Sequence, residues 1–337
     1  MVRGMGVKVR PDDAEKARRR LKEQGALSSS RKARREGGGV VFPVKDGDID
    51  LGPIPFELVE AEFEELKGKD AFERFLEKQG CSLSSYDVIG DIAILEIPEG
   101  MEVYEREIAR VLLDSKRHVK AVFKKSSAVE GEERVRRYEW LAGEDRTETA
   151  HREHGCIFRL DISKVFFSPR LSFERQRIME QVRDGEVIVD MFAGVGPYSI
   201  VIARHRDAKV TGYDINEAAI RYFAENIRIN KVGHRVTAVH GDCRELAPEG
   251  VADRVIMNLP KSGKEFLETA LDTLKPEGGV IHYYGVSPRA APYKDEARHI
   301  QEKAKEMDKK VEITGKRIVR SYSPGEVHVA IDVKVMP

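Results

Sequence analysis

Long apolar runs, paired cysteines and internal repeats are all missing from this sequence of 337 residues. No apolar stretch approaches the roughly 18 residues that a membrane-spanning helix needs. Charged residues occupy the positions near the N-terminus where a signal peptide would be apolar, so we expect a cytoplasmic protein. The three cysteines, Cys81, Cys156 and Cys243, form no Cys-x-x-Cys pair, which argues against a zinc ribbon and a disulfide framework.

An excess of one charge sign is also missing, because 58 lysines and arginines balance 58 aspartates and glutamates. The charges are nevertheless unevenly distributed. Residues 1–45 hold 13 basic and 5 acidic side chains, residues 46–108 hold 5 and 18, and residues 109–137 hold 9 and 4. Basic segments on both sides of an acidic one suit a polyanion that contacts the protein at several places. Solvated surfaces would give the same pattern, so charge alone leaves nucleic-acid binding open.

A small basic domain of α/β structure is predicted for residues 1–58. Its strands are expected in "GVKVR" and "VVFPV", and a helix is expected to begin near Pro11 and to end at Gly25. The acidic stretch at residues 59–70 is predicted to be a linker or an exposed helix. Residues 71–166 contain strand-like and helix-like segments in turn, and we expect them to form a middle α+β domain.

Strand and helix patterns alternate over residues 167–337. The apolar runs are "EVIVDMF", "AKVTGYD", "RVTAVHGD", "DRVIMNLP" and "GGVIHYY", and helical stretches separate them. Such alternation predicts a doubly wound, mainly parallel α/β sheet. The last two strands have no helix between them and must pair antiparallel. A parallel sheet that ends in an antiparallel hairpin is typical of the class I methyltransferase fold.

The first strand of this domain is followed by the glycine-containing loop "DMFAGVGPYS", residues 190–199. Gly194 and Gly196 would allow the backbone to approach a ligand at the carboxyl end of the strand. Ser199 stands where a dinucleotide-binding loop has its third glycine, and Pro197 lacks an N–H group that could hold a pyrophosphate. The loop therefore disfavours a dinucleotide.

Acidic residues follow three successive strands of the predicted sheet. Asp190 ends the first strand, Asp214 the second and Asp242 the third. A carboxylate repels phosphate but accepts hydrogen bonds from an ammonium group, a ribose hydroxyl or an adenine amino group. Each acid alone could equally be a helix cap or part of a surface turn. Three acids around one crevice favour S-adenosylmethionine, which carries an ammonium and a sulfonium and no phosphate.

A second candidate element, "NLP" at residues 258–260, follows the fourth strand on the same rim of the sheet. The amide oxygen of Asn258 and a backbone carbonyl stiffened by Pro260 would form two acceptors for an amino group on a nucleobase edge. By itself, the element could be an ordinary turn at the end of a strand. Next to the glycine loop, it resembles the (N/D)-P-P-(Y/F) element of methyltransferases that act on base nitrogens.

Several further segments extend this resemblance over nearly the whole chain. They are "GEERVRR", "WLAGEDRT", "DISKVFFSPRL", "ERQRIM", "IVDMFAGVGPYSI", "MNLPK" and "GGVIHYY". Together they resemble the archaeal tRNA (guanine-37 N1)-methyltransferases. The resemblance implies an S-adenosylmethionine-dependent enzyme that methylates the base beside the anticodon of tRNA. It also implies that the small N-terminal domain contacts the outer corner of tRNA while the other two domains hold the anticodon arm, with no membrane and no obligatory protein partner.

The resemblance also implies which residues form the site. Glu174 is the expected general base, Arg134 is expected to face the oxygen of the base, and Asn258 completes the catalytic set. The expected substrate-binding residues are Arg134, Arg175, Asn258 and Pro260. The expected cofactor-binding residues are Asp190, Phe192, Gly194, Gly196, Asp214, Ile215, Asp242 and Asn258.

Two local features qualify this assignment. Phe173 precedes Glu174 at a position where we expect a small residue, and its bulk could alter how the carboxylate is presented. His151 and His154 could suggest a metal site, but they lack a third ligand and methyl transfer needs no metal, so none is expected.

The main alternative is the wybutosine-pathway aminocarboxypropyl transferase, which shares the fold and the cofactor. Its relatives lack the Asn-x-Pro element that Asn258 and Pro260 form. The bifunctional methylase of the same pathway is disfavoured because the glycine loop and the NLP element are both intact. An RNA-binding protein with an inactive transferase domain is disfavoured by the three acids at strand ends, and a nicotinamide dehydrogenase by the missing third glycine.

Overall fold

The computed structural model describes residues 2–28, 31–45, 49–64, 71–80, 86–126 and 136–337. The chain divides into two compact units, Met1–Arg74 and Phe75–Pro337. Along the described part of the chain, no helix is long and apolar enough to cross a membrane.

A four-stranded antiparallel sheet and an α-helix form the first unit. The strands are β1 (Val2–Val9), β2 (Arg34–Glu36), β3 (Gly39–Pro43) and β4 (Glu57–Phe63), and the helix is α1 (Ala14–Glu23). The strand order is β2-β3-β1-β4. Ala17 and Leu21 lie one turn apart on α1 and pack with Val7, Val9 and Phe42 of the sheet. The predicted helix and strands of this small basic unit are therefore present.

The stretch that we expected to be a linker begins as a strand of this sheet. β4 pairs antiparallel with β1 along its full length. Its side chains alternate, since Ala61 and Phe63 are buried whereas Glu60 and Glu62 are exposed. The prediction that the linker begins at residue 59 was wrong, because the acidic residues occupy the outer face of a strand rather than a solvated connection.

The chain continues through the helix α2 (Ala71–Lys78) into a second four-stranded sheet. Its strands are β5 (Asp87–Ile89), β6 (Ile92–Leu95), β7 (Ala121–Lys125) and β8 (Tyr138–Gly143), in that order, and the helix α3 (Glu105–Ser115) connects β6 to β7. β6 and β7 pair parallel, as a crossover through a helix allows, and the other pairs are antiparallel. Ile108, Ala109 and Leu112 form the buried face of α3.

The largest sheet has seven strands, and a two-stranded hairpin precedes it. The elements are β9 (Glu148–Glu153), β10 (Cys156–Asp161), α4 (Ser172–Gln181), β11 (Val187–Asp190), α5 (Pro197–His205), β12 (Lys209–Asp214), α6 (Glu217–Ile229), β13 (Val236–His240), α7 (Cys243–Leu246), β14 (Arg254–Met257), α8 (Leu267–Thr273), β15 (Gly279–Pro288), α9 (Lys294–Glu306), β16 (Lys310–Ser321) and β17 (Glu326–Met336). The strand order is β13-β12-β11-β14-β15-β17-β16. β11 to β15 pair parallel, and β17 pairs antiparallel with β15 and β16. The predicted class I methyltransferase fold is confirmed.

Helices cover both faces of this sheet. α4 and α5 pack on the face that presents Ile188, Ile256 and Tyr284, whereas α8 and α9 pack on the face that presents Val255 and Tyr283. The strand order reverses between β11 and β14, and such a switch point leaves a crevice at the carboxyl ends of the strands. The glycine loop follows β11 and the NLP element follows β14, so both lie at this crevice.

One apolar core joins the second sheet, the β9–β10 hairpin and the helices α5 and α6. It includes Ile92, Phe123, Phe158, Ile200 and Phe223. The predicted boundary between residues 166 and 167 therefore does not separate two independent cores, because apolar side chains from both of its sides pack together.

Two asparagines of α6 hold the β9–β10 hairpin by forming hydrogen bonds to backbone groups on the edge of β10 that does not pair with β9. Asn226 accepts the N–H of Arg159 at 2.7 Å and donates to its carbonyl at 3.1 Å. Asn230, four residues later, accepts the N–H of Ile157 at 2.9 Å and donates to its carbonyl at 2.7 Å. Four helical residues rise about 6 Å and two strand residues about 6.6 Å, so the two spacings match.

We expect Asn226→Ala to lower the free energy of unfolding by about 2–4 kcal/mol, because buried N–H and carbonyl groups of β10 lose their partner. The matched control is Glu225→Ala, which removes a half-exposed ion pair to Arg159 from the adjacent position on the helix. This control should change the free energy by less than about 1 kcal/mol. Equilibrium unfolding in urea measures both, and equal losses in the two variants would contradict the assignment.

Candidate active site

The two glycines of the loop after β11 serve different purposes. Gly196 has a φ of 85°, and a Cβ atom there would lie 2.1 Å from the ring of Phe223. Packing against α6 therefore excludes any side chain at this position. Gly194 has a φ of 55°, and the nearest atom on its Cβ side, the carbonyl oxygen of Phe166, is 3.7 Å away. Gly194 is therefore less closely packed than Gly196, and its positive φ is what requires glycine.

Asp214, at the end of β12, holds the glycine loop in place. One of its carboxylate oxygens accepts the N–H of Gly194 at 2.7 Å, and the other accepts the N–H of Asn216 at 2.9 Å. Asp214 therefore fixes the shape of the loop, and Ile215 beside it has an exposed side chain.

Asp190, at the end of β11, is fully buried beneath the loop. Its Oδ2 accepts a hydrogen bond from the Ser199 hydroxyl at 2.8 Å, whereas its Oδ1 has no partner within the described residues. Burial raises the pKa of Asp190 to about 7, although the Ser199 hydroxyl and the backbone N–H groups of Phe192 and Ser199 act in the opposite direction. A buried acceptor that lacks a donor is an unusual feature of a folded protein and suits a ligand that brings a donor.

Asp242 is placed differently from the other two acids. It caps the N-terminus of α7 by accepting the N–H of Arg244 at 2.9 Å, and its carboxylate pairs with the guanidinium of Arg244 at distances down to 2.5 Å. That guanidinium lies 4.5 Å from the ring centroid of Phe266, and Phe266 packs edge-on against Phe192 with centroids 4.9 Å apart. The helix cap that the sequence left open is therefore present, and the contacts of Arg244 and Phe266 beside it were not predicted.

The crevice fits S-adenosylmethionine better than it fits a dinucleotide. Gly194 is less closely packed than Gly196, and Asp190 offers a buried acceptor without a donor. The N–H of Gly194 is already donated to Asp214, and Pro197 has no N–H, so neither can hold a phosphate. A cationic ligand without phosphate meets acceptors here.

The NLP element and Glu174 lie on the same rim of the sheet. Met257, the last residue of β14, pairs with Tyr283 of β15, so residues 258–260 follow at the level of Tyr284 and beyond. These three residues are partly exposed. The hydroxyl of Tyr284 donates to Oε2 of Glu174 at 3.0 Å. By this register Asn258 follows β14 beside the strand that carries Tyr284, and Tyr284 contacts Glu174.

Glu174, on the first turn of α4, is a buried carboxylate with only 3% of its surface exposed. Its Oε2 accepts a hydrogen bond from Arg177 at 3.0 Å, and its Oε1 accepts one from Arg317 of β16 at 3.0 Å. Phe173, the bulky neighbour, is 71% exposed. Phe173 therefore faces solvent and does not pack on the carboxylate.

Arg175 is fully buried and makes a bidentate ion pair with Glu153 of β9, at 2.5 and 2.7 Å. Burial raises the pKa of Glu153, but hydrogen bonds from His151 and Arg175 outweigh it and lower this pKa to about 2. Arg175 ties α4 to the hairpin, so direct substrate binding by Arg175 receives no support from this conformation. Arg134, the other predicted substrate-binding arginine, lies outside the described residues.

A cluster of arginines beside the site was not predicted. Burial lowers the pKa of Arg320, and the neighbouring charges of Arg170 and Arg136 lower it further. The buried Nε atoms of Arg136 and Arg320 have no hydrogen-bond partner within the described residues. Asp87 pairs with Arg170 at 2.6 Å. Guanidinium groups that gather in this way, with fewer carboxylates than cations, suit phosphate groups.

Three family models match the chain in order. That of the tRNA methyltransferase 5 N-terminal domain matches residues 6–50, that of the TYW2 N-terminal domain residues 72–147, and that of the TRM5/TYW2 methyltransferase domain residues 149–314. A relative from Pyrococcus abyssi, tRNA (guanine(37)-N(1))-methyltransferase Trm5b, is 45% identical over 337 residues, which cover 98% of this chain and 99% of the relative. The chain belongs to the TRM5/TYW2 methyltransferase family.

Solved structures of TRM5/TYW2 proteins resemble the whole chain. A crystal structure of Trm5b from Pyrococcus abyssi has a TM-score of 0.74 at 44% identity and covers 99% of this chain and 100% of its own. A complex of aTrm5 with tRNALeu has a TM-score of 0.72 at 38% identity, covering 98% and 99%. The tRNA(Phe) (4-demethylwyosine(37)-C(7)) aminocarboxypropyltransferase of Pyrococcus horikoshii is 34% identical over 73% of this chain and 87% of its own. The predicted family resemblance is confirmed.

We expect Asp190→Asn to change how the stability of this TRM5/TYW2 protein depends on pH. The pKa of Asp190 is about 7 in the folded protein, whereas an unfolded chain has about 3.9. Between these values the native wild type keeps a proton that the unfolded state releases, so its free energy of unfolding falls as the pH rises. Asparagine removes this dependence, so the variant should gain on the wild type by up to about 4 kcal/mol between about pH 4 and pH 8. Urea unfolding across this range measures the difference, and a difference independent of pH would contradict the prediction.

Proposed function

We propose that this enzyme transfers the methyl group of S-adenosylmethionine to N1 of guanine 37 in tRNA, giving 1-methylguanosine and S-adenosylhomocysteine. The observation that carries the proposal is the buried carboxylate of Glu174, which Tyr284 contacts from β15, the strand next to the one that the NLP element follows. Likeness to Trm5b over nearly the full length of both chains supports the same activity.

The proposed cofactor site comprises the predicted residues around the glycine loop. Asp214 would accept hydroxyl groups, Asp190 would accept a donor from the ligand, and Gly194 would let the ligand approach the backbone. Phe192, Gly196, Ile215, Asp242 and Asn258 would complete the site. S-adenosylmethionine supplies a methyl group on a sulfonium, which makes that methyl group electrophilic. Holding two bound molecules in line is then much of the catalytic task.

The proposed chemistry on guanine begins with its N1 proton. N1 is a poor nucleophile while it carries that proton, so a carboxylate within hydrogen-bond reach is a suitable base. We assign this role to Glu174. Negative charge that develops on the base oxygen would be stabilised by Arg134, and Asn258 with Pro260 would accept hydrogen bonds from the guanine edge.

Binding of tRNA is supported by the arginine cluster of Arg136, Arg170 and Arg320, because gathered guanidinium groups attract phosphates. The solved complex of aTrm5 with tRNALeu is of a protein that resembles this chain along its length. We propose that the N-terminal unit contacts the outer corner of tRNA and that the middle and catalytic parts hold the anticodon arm. We also propose that the enzyme works in the cytoplasm.

Aminocarboxypropyl transfer is the weaker alternative. The relative with that activity aligns with 73% of this chain, whereas the methyltransferase aligns with 98%. Residues 6–50 match the N-terminal domain of tRNA methyltransferase 5. The Asn-x-Pro element at Asn258 and Pro260 favours methyl transfer as well.

The reaction is tested with tRNA transcripts that carry guanine or adenine at position 37. S-adenosylmethionine is labelled in one sample in the methyl group and in another in the aminocarboxypropyl carbons, and the tRNA is digested to nucleosides. We expect methyl label in 1-methylguanosine from the guanine transcript alone. Label from the aminocarboxypropyl carbons, or no label at all on guanine 37, would overturn the proposed function.

Glu174→Gln should lower the single-turnover rate of methyl transfer by about 10²- to 10⁴-fold, because glutamine cannot take the N1 proton. Cofactor affinity should change far less, since this side chain lies on the guanine side of the site. The matched control is Glu180→Gln, an exposed glutamate on the same helix, which should keep the wild-type rate. An unchanged rate in Glu174→Gln would remove Glu174 from the base role.

A further inference from the structure

The two carboxylate oxygens of Glu174 have different surroundings. Oε2 accepts hydrogen bonds from the Tyr284 hydroxyl at 3.0 Å and from Nε of Arg177 at 3.0 Å. Oε1 accepts a hydrogen bond from Nη1 of Arg317 at 3.0 Å, and the Arg317 side chain is 40% exposed. Oε2 is therefore the anchored oxygen. Oε1 is the oxygen that a substrate can reach by displacing an exposed side chain.

Arg177 is itself fixed by a second carboxylate. Its Nη1 and Nη2 donate to the two oxygens of Asp332 at 2.5 and 3.1 Å, which is the bidentate geometry that a guanidinium prefers. Burial raises the pKa of Asp332, but the bonds from His282 and Arg177 outweigh burial and hold this pKa well below its usual range. Asp332 is therefore ionised, and Arg177 lies between two negative charges.

His282 fixes the far side of Asp332. The ring is fully buried, with Nδ1 2.7 Å from Oδ1 of Asp332 and Nε2 2.7 Å from Nη1 of Arg254. A guanidinium only donates, so Nε2 must accept and Nδ1 must carry the proton that it donates to Asp332. Burial lowers the pKa of His282, which keeps the ring neutral. Glu186 in turn binds Arg254 at 2.7 and 3.0 Å.

The register of the sheet explains why this network ends at Glu174. His282 and Asp332 pair across β15 and β17, and Tyr284 and Arg317 lie in the next row on the same face. α4 packs on this face and places Glu174 over the second row. The residue one helical turn later, at i+3, then lies over the first row and meets Asp332.

We propose that Arg177 is a positioning residue for Glu174, and that Asp332 limits how strongly Arg177 holds this carboxylate. The inference rests on the proposed function, in which Glu174 accepts the N1 proton. Arg177 fixes Oε2 of Glu174, so that Oε1 is presented to the guanine. Asp332 offsets part of the Arg177 charge, because an anion held too strongly by a cation is a weak base.

The groups that face Glu174 within the described residues set its charge environment. They include Arg177 on its own helix, Arg317 on β16 and Tyr284 on β15, which bind it directly. Tyr198 on α5 and His328 on β17 contact Tyr284 in turn, Tyr198 through hydroxyls 3.2 Å apart and His328 through rings with centroids 5.6 Å apart. Burial raises the pKa of both tyrosines, so they stay neutral. Changes in Arg177 and Asp332 therefore act on Glu174 with opposite signs.

The test is the pH dependence of single-turnover methyl transfer to a tRNA transcript with guanine 37. The acid limb is the low-pH part of the profile, in which the rate rises as the base loses its proton. Arg177→Met removes a positive charge, so this limb should move to higher pH by about one unit. Asp332→Asn removes a negative charge, so the limb should move to lower pH, and the plateau rate should fall. The double variant should return the limb close to its wild-type position while the rate stays low.

Arg177→Lys is the second single variant, and it keeps the charge but loses the bidentate contact with Asp332. We expect its acid limb at the wild-type pH and its rate at least tenfold lower. Thermal melts and the dissociation constants of S-adenosylmethionine and tRNA are measured for every variant. Glu180→Gln serves as the control for changes of charge on α4.

The outcomes separate this inference from the proposed function. If the wild type does not methylate guanine 37, or if Glu174→Gln keeps the acid limb, the proposed function or its base assignment fails, and the inference fails with it. If the wild type methylates and the limb depends on Glu174, shifts of the same sign in Arg177→Met and Asp332→Asn would overturn the positioning role alone. An Arg177→Lys variant with the full rate would overturn it as well, even if the other variants do not fold.

Discussion

The buried carboxylate of Glu174 is tolerated because guanidinium groups and a tyrosine hydroxyl surround it. A carboxylate that leaves water without such partners costs several kcal/mol. This constraint requires α4 to present Arg177 on its inner side and requires the sheet to present Tyr284 and Arg317 on the facing side. The C-terminal hairpin meets the requirement, because β17 and β16 extend the sheet beside β15. The antiparallel end of the sheet thus contributes the guanidinium of Arg317 to a site whose carboxylate, Glu174, lies on α4.

The same arrangement links the two halves of the site. Gly196 is the N-cap of α5, and the first turn of this helix carries Tyr198, whose hydroxyl donates to that of Tyr284 at 3.2 Å. Tyr284 then donates to Glu174. Two hydroxyl groups therefore connect the helix that follows the glycine loop to the carboxylate of Glu174. The proposed cofactor half and the proposed base half of the site share this packed set of side chains.

Much of the fold could be predicted from local patterns. Alternating apolar runs and helices predicted the parallel sheet, and the absence of a helix before the last strand predicted the antiparallel end. The segment of β4 was wrongly predicted as a linker or exposed helix, because its glutamates indicated solvent exposure. Val59, Ala61 and Phe63 alternate with these glutamates, as a half-buried strand requires. The site was harder to predict, since a strand-end acid looks the same in sequence whether it is buried with an unpaired oxygen, as Asp190 is, or caps a helix, as Asp242 does.

The sequence by itself determined the elements, the glycine loop, the NLP element and the family, because these depend on neighbours within a few residues or on motifs read in order. The tertiary structure alone decided which charged groups meet. Arg177, His282, Arg317 and Asp332 come from three strands and a helix, and each would read as an ordinary polar residue of its own segment. Their roles depend on sheet register and on the face that α4 covers, and long-range pairing is the physical property that a local pattern does not encode.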